Sequence, residues 1–210
     1  MDCLYKTITR RARVEQTIER SRFITTITRA ETREEAEAFF AAIRSEFKDA
    51  THNVPAMVIG DKMQLQWGSD DGEPQGTSGA PIVKLLVAEG LTNVALVVTR
   101  YFGGIKLGTG GLVRAYTGSA AQALKEAGIS EARRMAALRI SVDYSAYNKI
   151  TGARFPWDVA VEDVDYTDRV ALTLVADPEN EEALKGFLRD LTAGSLDILG
   201  REERIAFVEA

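Results

Sequence analysis

Five glycines between Gly103 and Gly111 follow directly on Asn93–Thr99, an apolar run rich in valine, and this junction constrains the fold more than any other stretch. A continuous apolar run of this kind is the pattern of a strand buried on both faces. Glycine costs conformational entropy and is kept where the backbone needs positive φ or a close approach. The string Arg100-Tyr101-Phe102-Gly103-Gly104-Ile105-Lys106-Leu107-Gly108-Thr109-Gly110-Gly111 therefore reads as a loop feeding a helix from about Leu112 to Ala127, stopped by Gly128. The first amides of such a helix are unpaired and carry the positive end of its dipole, which suits an anion. Arg100, Lys106 and Arg114 flank it as candidate phosphate ligands. Gly103, Gly104, Gly108, Gly110 and Gly111 would allow close backbone approach, and Tyr101 with Phe102 could stack on bases. The same residues also fit a tight strand-to-helix connection whose glycines let the helix pack on the sheet. No Gly-Lys-[Ser/Thr] follows, so the loop is not a Walker A motif, and Val113 stands where a dinucleotide fingerprint has its third glycine.

A second polar loop, Gly68 to Gly79, carries Asp70, Asp71 and Glu73. Their oxygens could coordinate Mg²⁺, but the alternating spacing of a calcium-binding loop is missing. A solvated Asp-Gly turn, or pairing with Arg100 or Lys106, suits them better, and no metal or cofactor is assigned. Ser78 stands where it could cap a helix that has Pro81 in its first turn, runs to about Glu89 and ends at Gly90.

Around these loops the chain alternates strands and helices. Arg13–Ile18 and Arg22–Arg29 read as a hairpin, and Thr32 with Glu35 forms a capping box for a helix carrying Ala36, Phe39, Phe40, Ile43 and Phe47. Val54–Ile59 and Lys62–Trp67 read as strands joined by a tight turn at Gly60-Asp61. The result is an α+β unit of two layers over residues 1–135. Beyond a pause at Ser130–Ala137, strands at Leu138–Tyr144, Val159–Asp165, Arg169–Val175 and Ile205–Val208 alternate with helices at Tyr147–Phe155 and Glu179–Leu191. That β-α-β-β-α-β order predicts a ferredoxin-like domain over residues 136–210.

Composition narrows the chemistry. The chain has 210 residues and a net charge of −5. Residues 1–135 hold 18 basic and 16 acidic side chains, a balance of +2, and residues 136–210 hold 8 and 15, a balance of −7. The acidity thus belongs to the second unit, and the first permits contact with nucleic acid without being strongly basic. The single Cys3 cannot make an intramolecular disulfide, and the single His52 with Cys3 gives no zinc-type cluster. A Ser-His-Asp triad would rest wholly on His52, with no Gly-x-Ser-x-Gly elbow to accompany it, so a structural or hydrogen-bonding histidine is expected. The start shows no secretory signal pattern, and the longest clean apolar run, Val94–Val98, is far short of a membrane span. A cytoplasmic protein without membrane partners is expected.

Taken together, Asp70-Asp71-Gly72-Glu73-Pro74-x-Gly76-Thr77-x-Gly79-x-Pro81 and Val98-Thr99-Arg100-Tyr101-Phe102-Gly103-Gly104-x-Lys106-Leu107-Gly108-x-Gly110-Gly111-Leu112-x-Arg114-Ala115-Tyr116 closely resemble the IMPACT/YigZ family. Ser21-Arg22-Phe23-Ile24 and Ala50-Thr51-His52-Asn53 match earlier motifs, so the resemblance covers about residues 15–125. Val54-Pro55 departs from it, since the family often has a cysteine and an aromatic there. The resemblance implies an N-terminal fold similar to domain 2 of a ribosomal small-subunit protein and to domain IV of elongation factor G. It also implies a ferredoxin-like C-terminal domain similar to one of elongation factors. Eukaryotic relatives regulate translation through an added RWD domain, for which this chain has no room. Some bacterial members have borne a proline-dipeptidase label, which a single histidine does not suit. The expectation is a non-enzymatic binding protein linked to translation, contacting RNA, the ribosome or a ribosome-associated protein through its N-terminal domain. The alternatives are an enzyme or sensor for a small phosphorylated ligand with Mg²⁺ at the acidic loop, and a protein–protein regulator.

Overall fold

The computed structural model describes residues 3–209. Two compact units make up the chain, one built on Leu4–Ala132 and the other on Arg133–Ala206. The α+β class holds for both.

In the first unit β1 (Cys3–Ile8) precedes a five-stranded sheet made from β2 (Ala12–Ile18), β3 (Ser21–Arg29), β4 (His52–Ile59), β5 (Leu65–Gly68) and β6 (Val94–Tyr101). Its order is β2-β3-β6-β4-β5, with antiparallel neighbours. The apolar run at the sequence's tightest constraint is the central strand β6, buried from Val94 to Arg100. Alternate residues of a strand point to opposite faces. Accordingly Val54, Val58, Leu96 and Val98 face one core with α2 (Gly79–Ala88) and α3 (Gly108–Ala127), whereas Met57, Ile59 and Ala95 face the other with α1 (Arg33–Glu46). Helix α1 thus adds a layer to the two expected, because Phe39 and Phe40 need the second face to bury their rings. The capping box is present: Glu35 N donates to Thr32 Oγ1 at 3.2 Å, and the Glu35 carboxylate accepts from Glu31 N at 2.7 Å. The tight turn at Gly60-Asp61 is instead a longer link, because β5 starts only at Leu65 and Met63 N closes back on Gly60 O at 2.7 Å.

The second unit follows the ferredoxin-like order: β7 (Ile129–Val142), α4 (Tyr144–Gly152), β8 (Val159–Tyr166), β9 (Val170–Ala176), α5 (Glu181–Leu191) and β10 (Leu196–Glu209). Strand β7 lies between β9 and β10, and β8 is the outer neighbour of β9. Helices α4 and α5 cover one face through Ala146, Ile150, Leu184 and Leu188 against Leu138, Ile140, Leu172 and Leu174. Both long strands exceed the sequence reading. The expected pause at Ser130–Ala137 is strand, and β10 begins nine residues before Ile205. Their charged residues mask the alternation, and in β10 these are held by ion pairs such as Arg201 with Glu181 and Arg204 with Glu162. No helix among the described residues is long and apolar enough to cross a membrane.

Candidate functional site

The acidic loop uses its carboxylates on itself and its neighbours. Asp70 Oδ1 accepts from Ser78 N and Gly79 N, both at 3.0 Å, and from Ser78 Oγ at 2.7 Å, while Oδ2 accepts from Gly76 N at 2.7 Å. Burial pushes this carboxyl's pKa up, but the four hydrogen bonds together outweigh it and hold the group below its ordinary value. Asp70 therefore caps α2, whereas the expected cap Ser78 makes no side-chain capping bond and donates its hydroxyl to Asp70 instead. Asp71 accepts from Arg44 Nη2 at 2.7 Å and from Asn53 N at 2.6 Å. Its carbonyl oxygen lies 2.8 Å from His52 Nδ1.

Glu73 is the inward member. Its side chain and that of Arg100 are each 4% exposed, and Arg100 Nη1 donates to Glu73 Oε1 at 2.6 Å. Tyr116 of α3 donates its hydroxyl to the same oxygen at 2.7 Å. Burial, reinforced by that bond and the carboxylate's charge, pushes the Tyr116 phenol far above its ordinary range. His52 Nε2 stands 3.7 Å from this oxygen. Arg100 also donates to Ser21 Oγ at 3.2 Å and lies over the rings of Phe23 and Phe102, while its Nε is buried without an acceptor. The Mg²⁺ reading loses its donors here. The three carboxylates turn to separate protein partners, and no group of three potential metal ligands converges among the described residues.

The glycine loop is less committed. Gly108-Thr109-Gly110-Gly111 form the first turn of α3, so the helix starts four residues before the expected Leu112. Glycine's poor helix propensity hid this start, and tertiary packing overrides it. No side chain caps this end, and its first turn carries no acidic residue. Gly108, Thr109 and Gly110 are exposed, as is Lys106, which makes no ion pair among the described residues. Gly103 is needed for packing, because a Cβ there would stand 2.0 Å from Arg20 O. Gly110 is different. It has no positive φ, and a Cβ would meet only Arg114 Nη1 at 3.7 Å.

Both loops line one cleft of about 440 Å³. From the acidic side come Glu73 and Pro74, with His52 beside them; from the glycine loop come Lys106, Leu107, Gly108 and Thr109; Arg100, Phe102 and Leu112 also line it. Among the residues singled out from sequence, Arg100, Lys106, Gly108 and Glu73 therefore meet. Arg114 and Gly111 line a neighbouring depression with Ile18 and Glu19. Tyr101 turns elsewhere, donating its hydroxyl to Asp49 at 2.9 Å under Arg22. Gly104 is at φ +86° on the exposed part of the loop. Sequence reasoning underrated His52 and Phe102, the latter 46% exposed at the cleft. For His52 the available signal was its place beside Asn53: both are tied to the acidic loop.

Comparison with known proteins places these residues in context. A family model described as the Impact N-terminal domain matches residues 19–124, and one described as a domain of unknown function (DUF1949) matches residues 158–195. The IMPACT family member YvyE of Bacillus subtilis is 36% identical over 205 residues, spanning 98% of this chain and 94% of that protein. The IMPACT family member YigZ of Escherichia coli is 36% identical over 193 residues, 90% of this chain and 94% of its own length. A Thermus thermophilus relative with the same family name is 40% identical over 185 residues, 87% of this chain and 99% of its own. A crystal structure of a hypothetical protein, 33% identical, superposes with a TM-score of 0.59 over 95% of this chain and 98% of that one.

Proposed function

The chain belongs to the IMPACT family, and from that premise we propose that it is a binding protein of the translation apparatus or its regulation, taking up RNA by its phosphates in the cleft of the N-terminal unit. The observation that carries this reading is the start of α3, an uncapped and exposed helix end without acidic residues, opening into a cleft beside the unpaired Lys106. Helix amides and an ammonium are the donors a phosphate needs. The buried Arg100 contributes little net charge, since Glu73 neutralises it, and serves instead to hold the cleft floor. Phe102 offers an exposed ring face for a base.

The test is binding of single-stranded RNA by fluorescence anisotropy across a salt series. Affinity should fall as salt rises, and Lys106→Ala should flatten the log–log slope by about 0.7, the contribution of one phosphate contact on a single strand. Absence of binding at low salt would overturn the reading. The volume of the cleft also suits a free nucleotide, so a thermal-shift series with mononucleotides separates a polymer ligand from a small one.

A further inference from the structure

The lining of the cleft holds both hydrogen-bonding senses. The glycine loop offers donors: the Lys106 ammonium and the open amides of α3. The acidic side offers an acceptor. All contacts of the Glu73 carboxylate fall on Oε1: Arg100 Nη1 at 2.6 Å, Tyr116 hydroxyl at 2.7 Å and His52 Nε2 at 3.7 Å. Its Oε2 has no hydrogen bond among the described residues, and unlike Arg100 Nε it is not sealed from solvent. His52 stands beside it: the Asp71 carbonyl at 2.8 Å can only accept, so Nδ1 carries a proton and the ring is held with Nε2 toward Glu73. Arg100 offsets the Glu73 charge, so this part of the lining offers a hydrogen-bond acceptor rather than a net anion.

A ligand that fits must be an acceptor at one end and a donor at the other. The sugar–phosphate backbone of DNA has no hydrogen-bond donor. That of RNA has one, the 2′-hydroxyl, which is what distinguishes the two polymers to a protein. We propose that Glu73, with His52 beside it, accepts a hydrogen bond from a ribose 2′-hydroxyl and so selects RNA over DNA, an inference that rests on the phosphate-binding reading above. A hydrogen bond to a charged acceptor in a largely desolvated setting is among the stronger ones a protein makes. A lysine or other cation would satisfy the acceptor but would be repelled by Lys106 and the helix end. A free phosphate would satisfy only the donors.

The test compares three short labelled single strands of the same length, of uridine, deoxyuridine and 2′-O-methyluridine, the last keeping the oxygen but losing the donor. The native protein should bind the ribose strand roughly tenfold tighter than either of the others. In Glu73→Gln the amide can keep its carbonyl on Arg100 and turn its NH₂ to the cleft, so the preference should shrink to about twofold or less, by the same arithmetic. His52→Ala leaves the Arg100–Glu73 pair intact, and should reduce the preference part-way; it decides the matter if Glu73→Gln does not fold. Equal binding of all three strands by the native protein overturns this inference while phosphate binding stands. A ribose preference that survives in both variants also overturns it. If no strand is retained at low salt, the phosphate-binding reading itself fails, and this inference with it.

Discussion

The loop between β5 and α2 and the loop between β6 and α3 face the same cleft and share a richness in glycine and charge, yet they differ in how their polar groups are used. In the first, Asp70, Asp71 and Glu73 each bind donors of the protein itself. In the second, among the described residues, no side chain caps the start of α3 and Lys106 makes no ion pair. Buried or half-buried polar groups that are satisfied hold a shape; exposed donors left open are available to a ligand. The acidic loop thus serves as scaffold, and the glycine loop is the edge that the proposed function uses, with Glu73 between the two.

That division makes substitutions in the two loops behave differently. The largest effect belongs to Arg100→Ala, which strands the buried Glu73 carboxylate and should cost about 3–5 kcal/mol of stability, read as a lower urea midpoint. A loss under about 1 kcal/mol would mean that the pair is not the scaffold described. Asp70→Ala removes the cap of α2 and should cost about 2 kcal/mol near neutral pH. Its pH dependence has a definite sign. The folded-state pKa is lowered, so the contribution is full above the unfolded carboxylate value of about 3.9 and vanishes as pH falls through the lower folded value. The gap between wild type and variant should close across that acid range; a gap that persists there would show that the cap does not depend on the carboxylate charge.

On the binding edge the signs change. Gly110→Ala should stabilise the protein by roughly 0.5–1 kcal/mol, since alanine is the better helix former and its Cβ has room, while RNA affinity drops. Gain in both would remove the reason given for glycine there. The smallest stability effect belongs to Lys106→Ala, within about 0.5 kcal/mol by thermal melting, because the side chain is exposed and unpaired. A larger loss would assign Lys106 to the scaffold as well.

The sequence made much of this architecture readable, and the exceptions have physical causes. The valine-rich run at Asn93–Thr99 predicted a strand buried on both faces, but the layer that α1 adds on the second face was not drawn from it. Pairing of an acidic-loop carboxylate with Arg100 was readable from charge, but the meeting of the two loops was not, since β4 lies between the strands they leave. The start of α3 was not, because local propensity argues against helix at Gly108–Gly111 and long-range packing decides the matter. Nor was the role of His52: its ring is set by a carbonyl 19 residues further along the chain, in a loop whose residue at that point, Asp71, takes φ +44°. Such a backbone detail leaves no trace in residue type. The charged stretch Arg201-Glu202-Glu203-Arg204 likewise hid the length of β10, because ion pairs on an exposed strand replace the apolar alternation by which strands are recognised.

The junction of Glu73, Arg100, Tyr116 and Ser21 draws together an acidic loop, the central strand, a helix and the start of β3 in one buried network. No one of these pieces can leave without exposing a charge to an apolar interior or leaving a hydroxyl unpaired. Local opening at the cleft floor is therefore as costly as unfolding the sheet, and the Arg100 and Thr99 amides should exchange with solvent deuterium only through global unfolding. On the proposed function, a ligand entering the cleft would meet a surface held in place by this network, and little of the binding free energy would be consumed in ordering the protein.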